Sequence, residues 1–175
     1  MSLLPTFLRQ TQHGRRFAWH ESKMMVYLTG WHQVLRRQTL NHGTVFILDQ
    51  GPVFQLAQLH GFGPENINSE RFEEWWASVL DQWASTLDMV IWLDAPDAVL
   101  LERIHTRSKW HLVKNESEQE AREFLARYRA SFEQMISALT ADGGPRVLRF
   151  DTQQESMDRV VDNLLLEFGL RDDCA

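Results

Sequence analysis

Three stretches of the chain are apolar enough to be strands, and each closes on an aspartate. Val45 to Leu48 is a continuous, partly β-branched run ending at Asp49, the pattern of a strand covered on both faces. Gly51 and Pro52 follow, a residue that turns sharply and one that cannot donate a ladder hydrogen bond, so the strand stops there. Met89 to Asp94 repeats the pattern before Ala95-Pro96, and Arg146 to Asp151 is a weaker version before Thr152. Arg149, inside the third run, places it nearer a sheet edge.

Between these runs the apolar spacing changes to that of helices. Met24, Tyr27, Leu28, Trp31 and Leu35 mark a helix over about Glu21 to His42, with Gly43 as its left-handed cap. Val53 to Leu59 reads as a short helix. Phe72, Trp75, Trp76, Val79, Leu80, Trp83 and Leu87 form a broad stripe, with Asn68 or Ser69 as the cap. Asp97 is expected to cap the next helix, through Val99, Leu100 and Ile104. Asn115 and Glu118 have the spacing of a capping box for the longest helix, which runs from Ala121 through Phe132 to Leu139 and stops at Asp142-Gly143-Gly144-Pro145. A last helix carries Met157, Val160, Val161, Leu164, Leu165 and Phe168. Leu3 to Leu8 is an edge strand at most, because of Pro5. Strands alternating with helices predict a parallel α/β sheet with its site along the carboxyl ends of the strands.

Composition narrows this only slightly. The 175 residues are most simply one domain, and 43% hydrophobic content with seven Trp and ten Phe argues for a real core. A net charge of -6 gives no general attraction to nucleic acid or an anionic membrane, so neither is expected as a partner. With the single Cys174 neither an internal disulfide nor a cysteine zinc site can be built, which fits a reducing, cytoplasmic setting. The first ten residues lack the basic start and long apolar core of a signal peptide, and no apolar run is long enough to span a bilayer.

Candidate chemistry lies at the strand ends. Asp49, in Asp49-Gln50-Gly51-Pro52, could take a proton from a substrate hydroxyl or orient a hydrated magnesium ion; equally, an aspartate in such a turn could simply cap its own backbone. Arg103 and Arg107 are four residues apart, so on a helix they would share a face and could grip a phosphate chain, or form a solvated basic face paired with Glu102 or Glu118. Lys109 continues the basic run. The seven histidines lack zinc-site spacing, and there is neither a Gly-x-Ser-x-Gly elbow nor a Gly-x-Gly-x-x-Gly fingerprint.

These residues together resemble the P-loop nucleoside and nucleotide kinase group, and look like those of a thymidylate kinase. In that group an Asp or Glu followed by Arg ends the third strand; Asp49-Gln50 matches the first position and departs at the second. A Leu-Asp-x-Pro turn leading to a Leu-x-Arg-x-x-x-Arg helix is matched by Leu93-Asp94-Ala95-Pro96 and Leu101 to Arg107, and starts a lid of about residues 103-115. The resemblance implies a three-layer parallel sheet flanked by helices, ATP and Mg2+ as cofactors, and phosphoryl transfer to a small nucleoside or nucleotide acceptor. It implies Asp49, Arg103 and Arg107 as catalytic residues, with Asp49 reaching the metal through a bound water. Gln50 and Lys109 would meet the acceptor, and Asp151 and Thr152 would join the two arginines around ATP, near the adenine.

The group's defining Gly-x-x-x-x-Gly-Lys-Ser/Thr loop is absent: no glycine precedes a Lys-Ser or Lys-Thr pair, and Gly14 is followed by Arg15-Arg16. In the group it follows a central first strand, so its loss implies a sheet with two unpaired edges. A truncated kinase, a relative that has become a binding or oligomerisation module, and a gap filled by a second copy in a homodimer all remain open. The expectation is a kinase-like chain with little or no catalysis of its own.

Overall fold

The structure is a computed structural model that describes residues 18–38, 45–63 and 70–169. Among them are six helices and a two-stranded parallel sheet, in the order α1 (Trp19–Gln38), α2 (Pro52–Phe62), α3 (Glu70–Ala84), β1 (Met89–Asp94), α4 (Asp97–Thr106), α5 (Glu118–Thr140), β2 (Arg146–Asp151) and α6 (Met157–Glu167). The chain is mixed α/β, and it falls into two compact units. One comprises residues up to Asp88 together with Ala126–Arg146; the other comprises Met89–Leu125 and the residues from Val147 on.

The first unit is helical and built on aromatic burial. Met25, Leu28 and Leu35 of α1, Leu56, Ala57 and Leu59 of α2, Phe72, Val79 and Trp83 of α3, and Met135 and Leu139 of α5 form one core. The tryptophan stripe of α3 is therefore packing surface, as its spacing requires. Trp83 is fully buried; its indole N–H donates to the Leu28 carbonyl at 3.0 Å, and Tyr27 stacks on it at 6.1 Å. Trp75 Nε1 similarly donates to Thr29 Oγ1 at 3.1 Å. Each buried polar edge thus has a partner, which removes the main cost of burying an indole.

Strands β1 and β2 pair through Arg146 N–H to the Asp88 carbonyl at 3.1 Å and Thr152 N–H to the Asp94 carbonyl at 2.8 Å. Both bonds use even-numbered residues of the Asp88 to Asp94 stretch. With the two-residue period of a strand, the backbone groups of Met89, Ile91 and Leu93 point to the opposite edge, which no described strand covers. A separate core, Leu101 and Ile104 of α4, Val113, and Ala121 and Leu125 of α5, lies behind the α4–α5 connection.

Several expectations change. Val45 to Leu48 has neither helix nor strand structure, and Ile47 is 76% exposed. An apolar run becomes a strand only when a neighbour takes its backbone hydrogen bonds, and none of the described strands does so. Among the described residues the sheet is accordingly one strand pair, and a three-layer sheet is not shown. The cap of α5 is Ser117, not Asn115: Ser117 N–H donates to Glu120 Oε2 at 2.9 Å and Glu120 N–H to Ser117 Oγ at 3.3 Å, the reciprocal pair of a capping box. Pro96 rather than Asp97 holds the N-cap position of α4. Leu3 to Leu8, Gly43, Asn68 and Ser69 lie outside the described residues.

Burial sets the acid response. His32, edge-on to Trp83 at 6.1 Å, has its pKa lowered by desolvation and by the charge of Arg36, and its buried Nδ1 has no hydrogen-bond partner among the described residues. His60 is lowered by burial, and His111 by burial and the charge of Arg107. Above the ordinary histidine value of 6.5 all three rings are neutral in both folded and unfolded chains, and no stability is lost. Below it the unfolded chain takes up protons that the fold resists, so stability falls until the lowered folded values are passed. Urea midpoints measured from pH 7.5 down to 5.5 are expected to decrease, and the His32→Gln variant to lose part of that slope.

Candidate functional site

The three strand-end aspartates have different fates. Asp94 Oδ1 accepts from Ala95 N–H at 2.8 Å, and Oδ2 pairs with the Arg149 guanidinium, whose Nε lies 3.2 Å away. That guanidinium also lies over the Trp92 ring at 4.2 Å. Parallel register places Trp92 and Asp94 on the same face as Arg149, and this contact locks the two strands side by side. Asp151 Oδ1 accepts from Gln153 N–H at 2.9 Å, closing a local turn after β2.

Asp49 differs from both. It is exposed, and among the described residues its carboxylate makes no hydrogen bond or ion pair. The turn that carries it is tightly specified. Gln50 has φ of 49°, the left-handed region rarely used by non-glycine residues. A Cβ at Gly51 would come within 2.9 Å of Leu48 Cβ and 3.1 Å of the Leu48 carbonyl oxygen. Pro52 then opens α2, and Gln55 Nε2 donates to the Gln50 carbonyl at 3.3 Å. A fixed turn therefore presents an unengaged carboxylate, and the turn-capping alternative is not realised among the described residues.

The basic segment also divides. Arg103, in the last turn of α4, donates from Nη1 to Thr152 Oγ1 and from Nη2 to the Thr152 carbonyl, both at 2.8 Å; Thr152 Oγ1 in turn donates to the Asp94 carbonyl at 2.8 Å. Arg103 and Thr152, two of the residues expected around ATP, are thus brought together at the carboxyl ends of β1 and β2. Arg107 does not continue the helix. It is the C-cap, with φ of -68° and ψ of 146°, so the shared helical face expected for Arg103 and Arg107 is replaced by one anchored arginine and one beyond the helix end. Arg107 and Lys109 are exposed, and neither side chain has a hydrogen bond or ion pair among the described residues. Glu118, considered as a partner for these arginines, instead binds Arg122, whose Nη2 is 2.6 Å away.

The Asp94–Arg149–Trp92 contact was not legible in the sequence, because its signal is the register of two strands about fifty residues apart. Among the described residues no group of three or more His, Cys, Asp or Glu could hold a metal by itself. A hydrated magnesium ion needs fewer, since it keeps several waters and is held by one or two carboxylates with substrate phosphates. Asp49 has the chemistry and accessibility for that part. No described helix is long and apolar enough to cross a membrane. No family model, curated protein or solved structure matches this chain.

Proposed function

We propose that the chain is a kinase-like domain of the P-loop nucleoside and nucleotide kinase type, binding ATP and Mg2+ and retaining little or no phosphoryl transfer of its own. The observation that carries the reading is the rim at the ends of β1 and β2, where Arg103 clasps Thr152 and the basic connection bearing Arg107 and Lys109 departs. Ligands of parallel α/β sheets bind at that end of the strands. In this reading Arg103 holds the end of α4 against the rim, and Arg107 is the cation available to phosphates. Lys109 and Gln50 serve the acceptor, a small hydroxyl or phosphate compound. By the resemblance Asp49 would be the base or the carboxylate that orients a magnesium-bound water, and Asp151 with Thr152 would border the adenine. The fold would be the three-layer kinase sheet without its first strand and phosphate loop, and the edge of β1 that no described strand covers is where such a strand would pair.

Phosphoryl transfer depends mostly on positioning and electrostatic stabilisation, so loss of the phosphate cradle should nearly abolish it. The purified chain, supplied with magnesium-ATP and a mixture of nucleosides and nucleoside monophosphates, is expected to consume ATP at background rate. Clear turnover that disappears in Asp49→Ala would contradict that.

A second reading, a non-catalytic binding or oligomerisation module including a homodimer, is favoured by the edge of β1 that no described strand covers and by exposed Val45, Phe46 and Ile47. It expects a dimer or stable partner complex and no response to nucleotide.

A further inference from the structure

The connection between α4 and α5, residues 107–117, alternates in direction. Val113 is buried with Leu101, Ile104, Ala121 and Leu125, and His111 stands edge-on to Phe124 with ring centroids 6.0 Å apart. Leu112 between them and Trp110 before them are instead exposed, 61% and 74%. Lys114 Nζ donates to the Arg107 carbonyl and closes the loop. The Trp110 indole is therefore presented by an anchored loop.

Scattered exposed apolar residues are ordinary, but indole is the largest apolar surface a side chain can leave in water. Here it stands within three residues of two cations, Arg107 and Lys109, that have no partner among the described residues. An exposed planar apolar face carried on the same short connection as these cations suits a ligand that has both an aromatic ring and phosphates. The net charge of -6 opposes an extended polyanion such as a nucleic acid or an anionic membrane, whereas a small ligand feels mainly the local charge.

We propose that Trp110 is the stacking platform for the base of a nucleotide whose phosphates meet Arg107. This rests on the kinase-like reading and adds a residue that makes the site select for a base. Base–aromatic stacking is sequence-tolerant and is worth a substantial factor in affinity when removed by alanine.

Calorimetric titration of the full chain with magnesium-ATP and with magnesium tripolyphosphate, which has the phosphates without the base, separates the two contributions. Trp110→Ala is expected to weaken ATP binding by roughly 10-fold and leave tripolyphosphate binding unchanged, with Trp110→Phe restoring most of the loss. Arg107→Ala is expected to weaken both. An unchanged melting temperature of Trp110→Ala confirms that the variant is folded. Equal affinities for the two ligands, or a Trp110→Ala effect that is nil or the same for both, overturn the stacking role and leave the kinase-like reading in place. Binding of neither ligand by the unmodified chain overturns both.

Discussion

Replacing Trp83 by alanine is expected to lower stability by about 3–5 kcal/mol, as for other buried tryptophans. Trp83 is fully buried in the core shared by α1, α2, α3 and the end of α5. The substitution removes the contact to Tyr27 and leaves the Leu28 carbonyl without the indole N–H that now bonds it at 3.0 Å. A cavity and a lost hydrogen bond both act against the fold. Domains are stable by only about 5–15 kcal/mol, so this one change should remove a large share of the margin. Chemical denaturation followed by circular dichroism reads the effect directly, and Trp83→Phe, which keeps an aromatic ring, should lose less.

Gly144→Ala is expected to cost about 3 kcal/mol, the upper end for overpacking. A Cβ there would fall 1.9 Å from the Leu139 carbonyl oxygen and 3.0 Å from its carbon, and a backbone carbonyl cannot rotate aside as a side chain can. The end of α5 would have to move, although Leu139 is among the most buried residues of the core. The neighbouring glycine is the control. Gly143 has φ of 78° with nothing within 4 Å of its virtual Cβ, so Gly143→Ala carries only left-handed backbone strain, about 1 kcal/mol. Unfolding midpoints of the two variants should therefore rank Gly144→Ala well below Gly143→Ala.

Much of the helical architecture was legible because apolar spacing and stop signals agreed. The Phe72 to Trp83 stripe, the end of α5 before Gly143-Gly144, and the strands Met89–Asp94 and Arg146–Asp151 all lie where the pattern places them. Val45 to Leu48 has an equally good strand pattern and is not one, because a strand is a property of two segments and the sequence supplies only one of them. The surroundings of the candidate site residues were not legible. Asp49, Asp94 and Asp151 look alike in sequence, yet ion pairing with Arg149 and a local turn occupy the last two. Arg103 and Arg107 likewise match by spacing; the helix ends between them, and Thr152, about fifty residues away, takes one of the pair.

Thermal unfolding of the purified chain with and without millimolar magnesium-ATP, alongside sedimentation, tests the central claim most directly. A ligand that binds only the folded state raises its stability by mass action, whether or not it reacts. The kinase-like reading predicts an upward shift in a protein that sediments as a monomer, and loss of that shift in Arg107→Ala. No shift, in a protein that sediments as a dimer, would contradict it and leave the assembly module as the account of this chain.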